Sequence, residues 1–276
     1  FNEVDSPNWN EDFLAKVSNQ IYESIYQVDA EAKWLQMTWM FYHDQKKWTQ
    51  PRIRSFLEAV PDDKLILLDY YCDSTEIWRN TEKYYGKPYI WCYLGNFGGN
   101  SMMVGNLDDV DSKIKRLFAE GGENVYGLGA TLEGFDVNPF MYEFVFDQAW
   151  DYPLTTDQWI LNWAKCRGGN QDEHILKAWD SLHKKHATAG QAVLMNARPM
   201  LVGTDSWNTY PDITYNNRDL WDIWTEMLKA SHIDNTGYRF DVINVGRQVL
   251  GNLFSLFRDH FTQCYSEKDI DGMKKW

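Results

Sequence analysis

The sequence has little positive charge and no long hydrophobic run. It contains 27 Lys and Arg residues against 40 Asp and Glu residues, which gives a formal net charge of -13. Such an excess of negative charge repels nucleic-acid phosphates and anionic membrane surfaces. No stretch approaches the roughly 18 to 20 consecutive apolar residues that a membrane-spanning helix needs. We therefore expect no nucleic-acid partner and no membrane insertion.

The common motifs for metals, redox chemistry and dinucleotides are also missing. The six histidines form no H-E-x-x-H or other metal-binding spacing, and no G-x-G-x-x-G follows a predicted strand. The cysteines are widely scattered with no C-x-x-C pair, which argues against a zinc ribbon or a redox motif. We expect no metal and no cofactor, and we interpret the cysteines as core thiols. They are Cys72, Cys92, Cys166 and Cys264.

Aromatic residues, in contrast, are abundant. They make up 16% of the 276 residues, with 14 Trp and 16 Tyr. Such rings supply the flat apolar walls on which sugars and bases are held, so the surplus favours a ligand site. Apolar residues make up 44% of the chain, which is enough for one large domain or two ordinary ones.

The first half alternates between helical and strand-like patterns. Apolar residues from Phe13 to Val28 recur every three or four positions, which predicts an amphipathic helix. Further helices are predicted in "PRIRSFLEAV" and from about Val110 to Glu120. This alternation predicts βα units in a parallel sheet, either doubly wound or closed as a barrel. The predicted strands are "WLQMTWMFY" from Trp34 to Tyr42, "LILLDYY" from Leu65, "YIWCYL" from Tyr89 and "VYGLGATLEG" ending at Glu133.

Polar and aromatic residues cluster where each predicted strand ends, and this favours the barrel. Several strands that each give one residue to a common rim are typical of a (β/α)8 barrel, whose sites lie at the carboxyl ends of the strands. From about Pro153 the pattern becomes helical throughout. We predict a partial barrel over residues 1–150 and an all-α domain over 151–276. The rim residues are Asn2, Glu3, Tyr42, His43, Asp69, Asn96, Phe97 and Glu133.

Two strand-end glutamates, Glu3 and Glu133, are the candidate catalytic residues. Glycoside hydrolysis needs two carboxyl groups across a sugar, one to protonate the leaving oxygen and one to attack or to activate water. Asn2 reaches such a site only where the strand end bends. Asn96 offers both a donor and an acceptor beside Gly98-Gly99, although this segment could also be a simple turn. Trp39 and Trp91 could be stacking platforms for a sugar or could pack in the core.

Six blocks of the sequence together resemble the α-N-acetylglucosaminidases of glycoside hydrolase family 89. They are "FNE", "WLQMTWMF", "LLDYY", "PYIWCYLGNFGGN", "GLGATLEG" and "TYNNRDLWDIW". The resemblance runs in order through nearly the whole chain and implies the C-terminal half of a (β/α)8 TIM-type barrel followed by an all-α helical domain. It also implies that the segment before "FNE", including an N-terminal domain and the first half of the barrel, is absent, and we expect the isolated chain to be inactive.

The resemblance implies a retaining hydrolase that releases terminal α-linked N-acetylglucosamine from glycans of the heparan or mucin type. By motif, Glu3 falls on the general acid/base and Glu133 on the nucleophile. The expected partner is a glycan with a terminal N-acetylglucosamine. The expected substrate-binding residues are Asn2, Trp39, His43, Asp69, Trp91, Asn96 and Tyr215.

Two other readings of the residues remain open. The rings could belong to a non-catalytic glycan-binding module, or the scaffold could carry a glycosidase that acts on another sugar. The sequence contains no N-x-S/T sequon, which favours a secreted or periplasmic bacterial enzyme over a glycosylated lysosomal one.

Overall fold

A computed structural model describes most of the chain. Asn2, Glu3, Asn96 and Gly98-Gly99 lie outside the described residues. The described residues are 5–95, 103, 105–133, 138–150, 154–168, 172–185, 213–231 and 234–275.

A four-stranded parallel sheet forms the centre of the first half. The strands lie in the order β1-β2-β3-β4, so each strand pairs with the next strand in the sequence. This sequential parallel order, with helices in the connections, is that of consecutive strands in a (β/α)8 barrel, and it confirms the predicted fold class. The strands are β1 (Trp34–Met37), β2 (Leu65–Asp69), β3 (Tyr89–Tyr93) and β4 (Val125–Ala130).

Local sequence signals determine where the helices around this sheet begin and which face each helix buries. Asn10 begins the first helix, because its side-chain oxygen accepts a hydrogen bond of 2.9 Å from the Asp12 N–H. Pro51 lies in the first turn of the third helix, where its missing N–H costs nothing. The predicted apolar face of this helix is buried at Ile53, Phe56 and Leu57. The helices are α1 (Glu11–Tyr26), α2 (Trp39–His43), α3 (Gln50–Glu58) and α4 (Leu107–Glu120).

The four strands all end earlier than their apolar patterns indicate. The strand expected to reach Tyr42 ends at Met37, and Trp39 to His43 form α2 instead. A continuous apolar run does not distinguish a strand from a short helix, so the prediction was wrong there. The fourth strand ends at Ala130, and Glu133 therefore lies three residues beyond it.

The two faces of the sheet differ in burial. Leu65 and Leu67 on β2 are fully buried on one face. On the other face Leu35 pairs in register with Ile66 and Met37 with Leu68, and the side chains of Leu35 and Met37 are 56% and 44% exposed. In a closed barrel this second face is the interior. Among the described residues, β1 and β4 each pair with one strand, so both are edges of this sheet.

The second half is helical, as predicted. By their internal contacts, residues 96–108 and 133–144 group with this helical unit, and residues 1–95, 109–132 and 145–152 form the sheet unit. Stacked rings of Trp159 and Trp163, 5.6 Å apart, lie in the helical core together with Trp179. The helices are α5 (Pro139–Asp147), α6 (Thr156–Gly168), α7 (Glu173–Lys184), α8 (Asn217–Met227), α9 (Thr236–Glu267) and α10 (Ile270–Met273).

The 32-residue helix α9 has an unusual distribution of polarity. Six polar side chains at helical spacing are buried: Asp241, Asn244, Gln248, Asn252, Ser255 and Arg258. Six large apolar or aromatic ones are exposed: Ile243, Leu250, Leu256, Phe257, Phe261 and Tyr265. None of the described helices, α9 included, is long and apolar enough to cross a membrane.

Candidate functional site

An aromatic cluster lies just beyond the carboxyl ends of β1 and β2. Trp39 and His43 are one turn apart on α2, so their side chains share a face of the helix. Their rings stack with centroids 5.8 Å apart, Trp39 half-buried and His43 exposed. The rings of Tyr42 and Tyr70 pack against Trp39 at 4.9 and 5.3 Å. The cluster offers a partly exposed aromatic surface at the end of the strands where barrel enzymes bind their ligands.

Asp69, expected at this rim, has a structural role. Its carboxylate is fully buried and accepts hydrogen bonds from the N–H groups of Ile77 and Trp78, at 3.4 and 3.0 Å. Burial raises the pKa of Asp69 to about 6, and the backbone hydrogen bond from Trp78 acts in the opposite direction. Asp69 therefore caps the short 3-10 helix over Ile77–Asn80.

Trp91 is also enclosed. Its side chain is fully buried, and its indole N–H donates to Glu76 at 3.2 Å. Glu76 also accepts from the Trp78 indole at 3.2 Å and forms an ion pair with Arg116 on α4 at 2.5 Å. Trp91 is therefore part of a buried cluster beside α4.

The strand register explains both outcomes. Asp69 and Trp91 are paired between β2 and β3, so their side chains lie on the same face of the sheet. Leu67 and Tyr89 form the pair two residues earlier, which points to the same face, and both are fully buried as well. Side chains with no exposed surface cannot contact a sugar, so our proposed substrate-binding set leaves out Asp69 and Trp91.

Glu133 remains accessible. It is exposed, and the backbone leading to it is held because the Thr131 N–H donates to the Tyr93 carbonyl at 3.0 Å. This bond extends the pairing of β3 and β4 by one residue beyond the end of β4. Glu133 thus follows a fixed strand end, which is the location of catalytic groups in barrel enzymes.

Asp73 fixes the chain just before the predicted site residue Asn96. Its carboxylate accepts hydrogen bonds from the N–H groups of Leu94 and Gly95, at 2.9 and 3.1 Å. Burial raises the pKa of Asp73, while these two hydrogen bonds lower it. The sequence analysis missed Asp73. Its partners lie 21 and 22 positions later in the chain, so no local pattern marks it.

Tyr215 belongs to a buried amide network in the helical unit. Its hydroxyl accepts a hydrogen bond of 2.9 Å from the side-chain amide of Asn252, which in turn accepts from Gln248 at 2.9 Å. Burial raises the pKa of Tyr215. The Gln248 side chain also accepts from the Met103 N–H at 3.2 Å. Tyr215 is thus held in place through its hydroxyl by α9.

Within the part of the chain that the structure describes, no group of three or more His, Cys, Asp or Glu side chains could hold a metal ion.

Comparison with known proteins adds the family. Residues 1–152 match the family model described as "Alpha-N-acetylglucosaminidase (NAGLU) tim-barrel domain", and residues 159–276 match the model of the C-terminal domain of the same proteins. Human α-N-acetylglucosaminidase is 30% identical over 280 residues, which cover 99% of this chain and 37% of the human protein.

Solved structures show the same fold. A family 89 glycoside hydrolase from Clostridium perfringens, in complex with PUGNAc, superposes with a TM-score of 0.79 at 22% identity. A second structure from that organism, in complex with its substrate GlcNAc-α-1,4-galactose, gives a TM-score of 0.76 at 22% identity. Each match covers 95% of this chain and 30% of the solved chain. The chain thus spans about a third of the length of these relatives, and it belongs to the α-N-acetylglucosaminidases of glycoside hydrolase family 89.

Proposed function

We propose that this chain is part of a retaining glycoside hydrolase that releases terminal α-linked N-acetylglucosamine from glycans. The family supports the reaction class, and the exposed carboxylate of Glu133 beyond β4 carries the proposal. Asp69, the last residue of β2, is fully buried, and Asp73, shortly after β2, is partly buried; both accept backbone hydrogen bonds.

In the proposed reaction, Glu133 is the nucleophile and Glu3 the general acid/base. The Glu133 carboxylate attacks the anomeric carbon while Glu3 donates a proton to the departing oxygen, and a glycosyl-enzyme intermediate forms. Glu3 then takes a proton from the water that releases the sugar. Retention requires the two carboxyl groups to lie roughly 5 to 5.5 Å apart, and we expect this separation in a full-length chain.

The stacked rings of Trp39 and His43 are the proposed surface for the sugar. Such rings bind the apolar face of a pyranose, and their partial exposure at the strand ends supports this role. Asn2 and Asn96 complete the proposed set, as the family resemblance implies. Tyr215 stays in the set as a residue whose hydroxyl is held by Asn252.

The substitution Glu133→Gln tests the proposal. It should be made in a chain of the relatives' full length, because the 276 residues cover 37% of the human protein. We expect turnover of an aryl α-N-acetylglucosaminide to fall about a thousandfold or more, because the amide of glutamine cannot attack the anomeric carbon as the carboxylate does. Proton NMR of the first product should show the α-anomer, as double displacement predicts.

Glu123→Gln is the matched control. Glu123 is also exposed and lies just before β4, so the same change in charge should leave turnover within about twofold of the starting protein. An active Glu133→Gln variant, or a β-anomer as first product, would contradict the proposal. Sugar binding without any turnover in the unaltered protein would favour the glycan-binding module. Faster turnover of an aryl α-glucoside would favour another sugar specificity.

A further inference from the structure

Tyr70 and Tyr71 begin the turn that follows β2. The register of β2 with β3 ends at Asp69 opposite Trp91, and a further bond runs from the Cys72 N–H to the Cys92 carbonyl at 3.1 Å. A continued ladder would place Tyr70 opposite Cys92. The chain leaves the ladder at Tyr70 instead, and the peptide groups of Tyr70 bind side chains outside β3.

Threonine side chains from two other strand ends bind these peptide groups. The Thr38 hydroxyl, just after β1, accepts from the Tyr70 N–H at 3.1 Å and donates to the Leu68 carbonyl at 3.0 Å. The Thr131 hydroxyl, just after β4, donates to the Tyr70 carbonyl at 2.6 Å. The backbone of Tyr70 therefore connects the carboxyl ends of β1 and β4.

We propose that Thr131 is a positioning residue for Glu133, through its hydrogen bond to the Tyr70 carbonyl. The inference rests on the proposed function, in which Glu133 is the nucleophile. Glu133 is two residues after Thr131, within about 7 Å along the chain, so the orientation of Thr131 sets the start of the segment that carries Glu133. The Thr131 N–H binds the Tyr93 carbonyl on β3, and the Thr131 hydroxyl adds a second bond, to the Tyr70 carbonyl after β2.

The partner of this bond, Tyr70, also contacts the proposed sugar surface. The ring of Tyr70 packs edge-on against Trp39 with centroids 5.3 Å apart. Thr131 therefore holds, through one backbone group, the residue that contacts the Trp39 platform. A nucleophile must lie about 3 to 3.5 Å from the carbon it attacks, and a misplacement of about 1 Å can cost two orders of magnitude in rate.

The variant Thr131→Val removes the hydroxyl and keeps the side-chain shape. In a full-length chain we expect kcat/KM for 2,4-dinitrophenyl α-N-acetylglucosaminide to fall about tenfold or more. This activated leaving group needs little help from an acid, so the loss reports on the nucleophile and not on Glu3. The Kd for N-acetylglucosamine should stay within about twofold, and Thr131→Ser, which keeps the hydroxyl, should restore most of the rate.

Thr81→Val is the matched control. The Thr81 hydroxyl is buried and, like the partly buried hydroxyl of Thr131, donates to a backbone carbonyl, that of Ile77 at 2.9 Å, away from the proposed site. We expect a similar loss of Tm from both valine variants and a loss of kcat/KM from Thr131→Val alone. Thr131→Ala provides a second test where the valine variant does not fold.

The outcomes separate the inference from the proposed function. Glu133→Gln without effect would overturn the proposed function. An inactive Glu133→Gln combined with an unchanged Thr131→Val would overturn the positioning role alone. An equal loss of kcat/KM in the Thr81 and Thr131 variants, or no rescue by Thr131→Ser, would mean that the hydroxyl acts through stability and would also overturn it.

Discussion

The ends of the strands and the long helix α9 bury their polar groups in different ways. At the strand ends, a side chain binds the backbone of a neighbouring loop: Asp73 holds Leu94 and Gly95, and Thr131 holds Tyr70. Along α9, buried polar groups bind side chains of other helices, as in the contact of Asp241 with Arg167 of α6. The first arrangement fixes loops that carry accessible residues, and the second holds helices together.

This difference predicts how each region responds to substitution. A bond to a loop backbone acts locally, so its loss should affect one segment of the site. Side chains in one network share partners. Substitutions along α9 should therefore lower the free energy of unfolding by larger amounts, and these amounts should not be additive.

The largest effect is expected from the ion pair that joins α6 to α9. Arg167 donates to both carboxylate oxygens of Asp241, with Nε–Oδ2 and Nη2–Oδ1 distances of 2.9 and 2.6 Å, and both side chains are largely buried. Asp241→Asn should lower the free energy of unfolding by about 3 kcal/mol, because the Arg167 charge stays buried without its partner. Urea unfolding measures it.

Two further variants check the cause. Arg167→Met combined with Asp241→Leu should recover much of the loss, since no buried charge remains. Asp222→Asn removes an exposed partner of Arg218 on α8 and should change unfolding little. Equal effects of Asp222→Asn and Asp241→Asn would contradict the role of burial.

An intermediate effect, dependent on pH, is expected from Asp69 in the sheet unit. Burial raises its pKa to about 6 from the ordinary 3.8, so the folded protein holds this proton more tightly than the unfolded chain does. The stabilisation is present in full below the ordinary pKa of 3.8 and is lost as the pH rises through 6, and about 2 kcal/mol of it is lost between pH 4 and pH 7.

The variant Asp69→Asn does not ionise and should reduce the difference in unfolding free energy between pH 4 and pH 7 by that amount. Urea unfolding at several pH values measures the difference. Asp63→Asn, at an exposed position before β2, should leave the pH dependence unchanged. An unaltered pH dependence in Asp69→Asn would show that Asp69 is not the group responsible.

The smallest of the three effects is expected from Gln248. Gln248→Leu removes the acceptor of the Met103 N–H and the donor to Asn252, so unfolding should become easier by about 1 kcal/mol. Gln263→Leu, which changes an exposed glutamine of the same helix, is the control.

Asn252→Leu, measured alone and together with Gln248→Leu, tests the coupling. The double variant should lose less than the sum of the single losses, because the partner groups are already unpaired. Strict additivity would contradict the network.

The sequence predicted the elements better than their ends. Apolar spacing identified α3 and the buried strand β2, because the packing that buries these residues also produces the pattern. It did not predict the end of β1 at Met37, which depends on the Thr38 contacts with Leu68 and Tyr70. Hydrogen bonds between residues about thirty positions apart leave no periodic signal.

Site residues followed the same rule. Position after a strand selected Asp69 and Glu133 alike, but the register places Asp69 on the buried face, and only the fold shows this. Thr131 was missed because its partner, Tyr70, lies 61 positions earlier in the chain. Tyr215 was chosen by resemblance to a family block, and its contact with Asn252 depends on the packing around α9.

The exposed apolar face of α9 has a consequence for the behaviour of the protein in solution. Side chains such as Ile243, 70% exposed, and Leu250, 55% exposed, attract similar surfaces on other molecules. The net charge of -13 keeps those molecules apart at low ionic strength. Salt shortens the range of this repulsion to about 8 Å at 0.15 M, while the apolar attraction persists. Ionic strength therefore controls the colloidal stability of this chain, and dilute buffers are the conditions that keep it dispersed.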